Sequence, residues 1–137
     1  MNIGDIEWPA DGKAAVAYYL GFLVELMRFH SLDYSSFDHD PLAMTDRYLH
    51  GLVSEEDRKG KVSEWWDYIE RSGYFRDFRT PNALMARLAL SLLSVDEESV
   101  KNKDEMADRI SWVLQFCGFL GKDPEKSIEL MNSYFKK

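Results

Sequence analysis

The stretch Pro81–Leu93, PNALMARLALSLL, restricts the fold more than any other part of this chain. Thr80 is an N-cap residue type, and the fixed φ of Pro81 suits the first helical position. After them only Asn82, Arg87 and Ser91 are polar, and the other positions are Ala, Leu or Met. A helix apolar on nearly every side has to be surrounded by other elements. At about 1.5 Å per residue it is roughly 20 Å long, too short for the hydrocarbon core of a bilayer. The expectation is an all-α fold: a single compact bundle of about six helices around this buried central helix.

The rest of the chain can supply the surround. Residues 1–12 read as an arm pinned by Ile3, Ile6 and Trp8 and ended by Pro9. Asp11 is placed to cap a long helix, Lys13–Ser31, with Val16, Tyr19, Leu20, Leu23, Leu26 and Met27 at helical spacing. Gly21 inside it costs about 1 kcal/mol against Ala, so the close approach of a neighbouring helix or ring is its expected purpose. Residues 31–40, SLDYSSFDHD, favour turns and caps and predict a loop. Asp40-Pro41 opens a helix to Val53. Ser54-Glu55-Glu56-Asp57 resembles a capping box for a third helix reaching Ser72, with Gly73 past its end and Gly60 disturbing its first turns. Val62, Trp65, Trp66 and Ile69 fall in one stripe about 100° wide, so both tryptophans are expected to face the core. In the connector YFRDFR, Phe75 and Phe78 are expected to plug the end of the core, leaving Arg76 and Arg79 to pair with acids from earlier in the chain. After a charged loop, helices at Asp104–Leu120 and from Pro124 complete the set. Gly121 ends the first, and Lys136 and Lys137 suit the C-terminal end of the last. The pairs Asp40-Pro41, Thr80-Pro81 and Asp123-Pro124 recur at similar intervals, but their surroundings share no pattern, so no repeat is inferred.

With 137 residues, 45% of them hydrophobic, one domain can bury its own core without staples. The single cysteine, Cys117, excludes an internal disulfide and fits a reducing compartment. Asp5 and Glu7 interrupt anything like a secretory signal, so the expected location is cytoplasmic. The net charge of −7 is placed unevenly. Residues 1–57 hold eleven acids against three bases, whereas the rest of the chain is close to balance. Such a field repels phosphate backbones and draws basic partners, so direct nucleic-acid binding is not expected, and the longest uncharged apolar run, Ala14–Val24, is too short to span a membrane.

Catalytic signatures are sparse. The chain has no glycine-rich phosphate loop, no HExxH and no GxSxG. Asp38-His39-Asp40 offers three donors, but adjacent side chains diverge, and a capping turn before Pro41 accounts for them. Cys117 sits in FCGFLG among apolar neighbours, with no base beside it in sequence, and reads as an inert core thiol. Neither a cofactor nor a metal is expected. Carboxylates are so plentiful that pairs of them carry no signal for acid–base chemistry.

One pattern stands apart. Asp33-Tyr34 and Phe37-Asp38 join aromatics to acids in a loop, with Asp40 close behind. Rings supply buried area, while carboxylates steer encounter and pair with Lys or Arg. The alternative is a loop whose Tyr34 and Phe37 tuck into the core while its aspartates stay wet. Glu64, Asp67 and Tyr68 on the third helix form a second candidate patch, and Asp96, Glu97 and Glu98 a third.

This acidic, cysteine-poor, aromatic-rich character, with the stretch WWDYIERSGYF at residues 65–75, is similar to that of bacterial immunity proteins. Those proteins neutralise toxin domains delivered in contact-dependent growth inhibition and related systems. The resemblance implies a non-enzymatic protein that binds a cognate toxin, often a basic nuclease, and blocks its active site or substrate groove. Two other readings remain. A helical adaptor would show an apolar exposed face, and a carboxylate enzyme would show a pocket with two perturbed acids.

Overall fold

The structure, a computed structural model, describes residues 2–136. Among them there are seven α-helices and no strand: α1 (Gly12–Phe29), α2 (Pro41–Leu49), α3 (Glu55–Lys59), α4 (Val62–Arg71), α5 (Pro81–Ser94), α6 (Lys103–Phe119) and α7 (Pro124–Phe135). Single 3-10 turns at Ile3–Asp5 and Ser99–Lys101 complete the regular structure.

The helix starts follow their caps. Asp11 accepts from Ala14 N (2.9 Å), Asp40 from Leu42 N and Ala43 N, Ser54 from Asp57 N, and Asp123 from Glu125 N. Each satisfies an amide that the helix itself leaves open. Thr80 occupies the N-cap position of α5 without a capping bond, and its hydroxyl donates to Asp77. Gly73 and Gly121 take left-handed conformations (φ 72° and 84°) past the ends of α4 and α6. Lys136 follows the last turn of α7, and Lys137 lies outside the described residues.

Pro81–Leu93 behaves as its composition demands. α5 packs against α2, α3, α4 and α6, and nine of its residues are buried. It is not the only apolar rod, since α1 also buries nine residues and packs against α2 and α7. Gly21 meets its expected purpose. A Cβ there would lie 2.5 Å from the Tyr134 hydroxyl, which donates to Tyr18 O across the α1–α7 contact (2.7 Å). Trp8 closes the same end against Tyr18 and Phe135.

Four local expectations need correction. The predicted third helix is two, because the chain tightens at Gly60–Lys61 (Lys61 N to Arg58 O, 3.2 Å) and re-enters a helix at Val62. The break aims Arg58 of α3 into the core, where it is fully buried. Adjacent helical positions lie about 100° apart, so Trp65 and Trp66 do not share a face. Trp65 is buried, while Trp66 is 40% exposed. Phe75 does not plug the core either. It is 64% exposed, and only Phe78 packs inward, against Trp112 and Phe116. Among the described residues no ion pair joins Arg76 or Arg79 to the early acids; Arg79 uses its backbone N–H on Asp77.

Candidate functional site

Loop 31–40 folds back over α4, and this places two of the three acidic patches together. Phe37 rests on Trp65 (centroids 5.5 Å) and Tyr68 (5.7 Å). Tyr34 lies behind them, 5.6 Å from Trp65, and its hydroxyl donates to Met85 O in the middle of α5 (2.7 Å). The result is a hollow of about 270 Å³ with Phe37, Trp65 and Tyr68 as its floor. Asp38 and His39 come from the loop, Glu64, Asp67 and Arg71 from α4, and Asn82 from the first turn of α5.

Charge is unequally spent around this rim. Glu64 stands 3.7 Å from His39 Nε2 and 3.6 Å from Lys61 Nζ, so it is partly answered from within. Asp38 and Asp67 are exposed and have neither an ion pair nor a hydrogen bond among the described residues. Three carboxylates thus line the hollow with one arginine and one histidine, and Lys61 stands beside Glu64. Exposed carboxylates cost nothing to keep charged, and with few internal partners their field extends into solvent.

Several expected site residues do other work. Tyr34 is 2% exposed and belongs to the core, so it cannot touch a partner; burial also pushes its hydroxyl pKa well above the usual tyrosine value. Loop 31–40 therefore follows the tucked alternative for Tyr34 and a half-buried course for Phe37. Asp33 lies outside the hollow. Its carboxylate accepts from the Ser35 hydroxyl (2.7 Å) and Ser35 N (3.0 Å), which holds its pKa below the ordinary aspartate value and fixes the turn. Asp40 is committed to capping α2.

The third patch does not converge with the other two. Asp96 is bound by the Lys59 ammonium and by Ser99, and these donors drive its pKa far below the usual range. It ties α3 to the loop after α5. Glu97 lies against Gly12 at the start of α1, and Glu98 pairs with Lys101 (2.9 Å). Among the described residues no group of three or more His, Cys, Asp or Glu side chains could hold a metal, and no helix is long and apolar enough to cross a membrane. Burial pushes the Cys117 thiol up to about 11, far from nucleophilic use.

The linear pattern does not single out His39, Arg71 or Asn82 for this hollow. Asn82 left a trace, as a polar interruption in an apolar helix: α5 reaches the surface there. The other interruptions, Arg87 and Ser91, line a separate aromatic groove on the far side of α4, between α5 and α6. Compared with protein-family models, curated proteins and solved structures, the chain finds no match. Geometry and charge alone therefore bear on function.

Proposed function

We propose that this protein is a non-catalytic cytoplasmic inhibitor that binds a basic protein partner, as an immunity protein binds a nuclease toxin, and covers the partner's active site or substrate groove. The observation that carries this reading is the pair Asp38 and Asp67. These carboxylates come from different elements, meet at one aromatic-floored hollow and have no partner among the described residues. Phe37 and Tyr68 offer ring surface for an anchoring side chain, and the acids take the place of substrate phosphates before the partner's cations. The contact surface assigned here is Phe37, Asp38, Glu64, Asp67 and Tyr68.

The test is capture from the source organism at low and high salt, using the native chain beside an Asp38→Lys, Asp67→Lys variant. The expected result is a basic protein that the native chain retains at low salt, high salt releases, and the variant fails to hold. Retention that ignores both salt and variant refutes the reading, as does capture of no basic protein. Salt-insensitive retention of a partner would instead favour the adaptor reading, which draws on the exposed rings of Phe29, Trp112 and Phe119.

A further inference from the structure

The groove on the far side of α4 is built differently from the acidic hollow. Its volume, about 400 Å³, falls in the range of small-molecule sites. Its wall is a run of nearly parallel rings. Phe78 and Phe116 lie 15° apart with centroids at 6.3 Å, and Trp112 and Phe116 lie 29° apart at 5.6 Å. Trp66 and Trp112 bring exposed indole to its edges.

Arg87 stands in this wall. Its guanidinium lies 4.9 Å from the Phe78 centroid and 5.3 Å from that of Trp66, and Nη2 donates to Phe75 O (2.5 Å). These contacts hold the plane in place. They do not answer its charge: Nε is buried without an acceptor, and among the described residues no carboxylate forms an ion pair with it. Arg87 is thus a held cation without a counter-ion among the described residues. The other arginine in the lining, Arg109, is already answered by Glu105 (3.1 Å) and Ser94 (3.1 Å). Asp108 is exposed and has no partner among the described residues.

We propose that this groove binds a planar aromatic monocarboxylate, with its ring on the Phe78–Trp112–Phe116 wall and its carboxylate on Arg87. A flat ring matches the near-parallel faces, and a carboxylate answers the guanidinium charge through its Nη hydrogens, Nε being buried. Asp108 sets the charge limit, because it repels a second negative group and so disfavours dianions. The assignment is independent of any protein partner at the acidic hollow.

Naphthoate serves as the probe, with naphthalenemethanol as its neutral counterpart and naphthalenedicarboxylate as its dianion. Binding is followed through the indole N–H signals in nitrogen–proton NMR spectra. Naphthoate should move the signals of Trp66 and Trp112 while those of Trp8 and Trp65 stay. It should bind about tenfold more tightly than the alcohol, the size of one charge-assisted hydrogen bond, and more tightly than the dianion. Arg87→Gln should bring acid and alcohol within about twofold of each other by removing that bond. Asp108→Asn should widen the preference for the acid. Signals unmoved at millimolar naphthoate overturn the proposal, as do equal binding of acid and alcohol or a preference that survives Arg87→Gln. Should Arg87→Gln also lose the alcohol, the groove itself has deformed. Asp108→Asn then decides, and an unchanged preference for the acid in that variant rejects the site.

Discussion

Replacing Arg58 by methionine should loosen the far end of α5 before any other part of the molecule. Arg58 is 0% exposed. Its Nη1 donates to Leu92 O (3.0 Å) and its Nη2 to Val95 O (2.6 Å), in the last turn of α5 and at its C-cap. Tyr48 lies beneath the guanidinium at 4.6 Å, and Glu55 Oε1 is 3.8 Å away. The last turn of α5 has no basic residue of its own, so this side chain from α3 answers both the carbonyls and the negative end of the helix dipole. Methionine fills much of the same space but leaves two buried carbonyls unanswered, at about 1–3 kcal/mol each. Against that, the cation no longer has to be desolvated, the effect that lowers its pKa here, and Nε is no longer stranded. The balance should be a loss of about 2–4 kcal/mol, a large part of the stability of an ordinary domain. Urea unfolding followed by far-ultraviolet circular dichroism at neutral pH should show the midpoint fall with the slope unchanged. Hydrogen exchange should quicken first at the end of α5. A loss below about 0.5 kcal/mol, or a gain, would mean that burying the cation costs as much as its bonds return. The capping argument would then be wrong.

Three further outcomes follow from the packing. Gly21→Ala gains about 1 kcal/mol of helix propensity but displaces the Tyr134 hydroxyl from Tyr18 O, so the single variant should be neutral to about 1 kcal/mol destabilised. Adding Tyr134→Phe should cancel the clash, and additivity of the two changes in a double-mutant cycle would refute the contact. His30 is buried against Ser127 Oγ (2.7 Å), and its pKa is lowered by burial and then by Lys122, against an upward pull from Asp123. The unfolded chain therefore binds more protons below its ordinary value of 6.5, and stability should fall as pH drops from 7 toward 5.5. His30→Gln should flatten that slope in pH-dependent urea titrations, and an equally steep slope in the variant would rule His30 out as the cause. Cys117, buried and with its pKa pushed up to about 11, should react with a thiol reagent at pH 8 only as fast as the protein opens. Rapid labelling of the native protein would contradict its burial.

The central helix was legible because its composition leaves no alternative face to expose, and the helix starts because Asp and Ser sit where amides need acceptors. What escaped was direction. A stripe count puts Trp65 and Trp66 at the two edges of one arc and cannot tell which edge meets the core. The tightening at Gly60–Lys61 that resets the start is a backbone event with no periodic signature. The same break turns Arg58, to the eye one more charge in an exposed capping turn, into the most buried cation among the described residues. For the candidate site, the residue types in loop 31–40 were readable, but their division of labour was not. Asp33 and Asp96 are both acids in turns, and only the positions of Ser35 and Lys59 show that each is already engaged. The union of Asp38 with Asp67 depends on Phe37 landing on Trp65, a contact between segments far apart in the chain.

Because α4 carries neighbouring indoles on different sides, the molecule contains a pair of optical reporters separated by a single peptide bond. Trp65 looks toward the acidic hollow from within the core, and Trp66 looks out over the aromatic groove. Emission from the first should be blue and shielded from acrylamide, and emission from the second red and readily quenched. An occupant of either side would announce which side it had taken by the colour it changed.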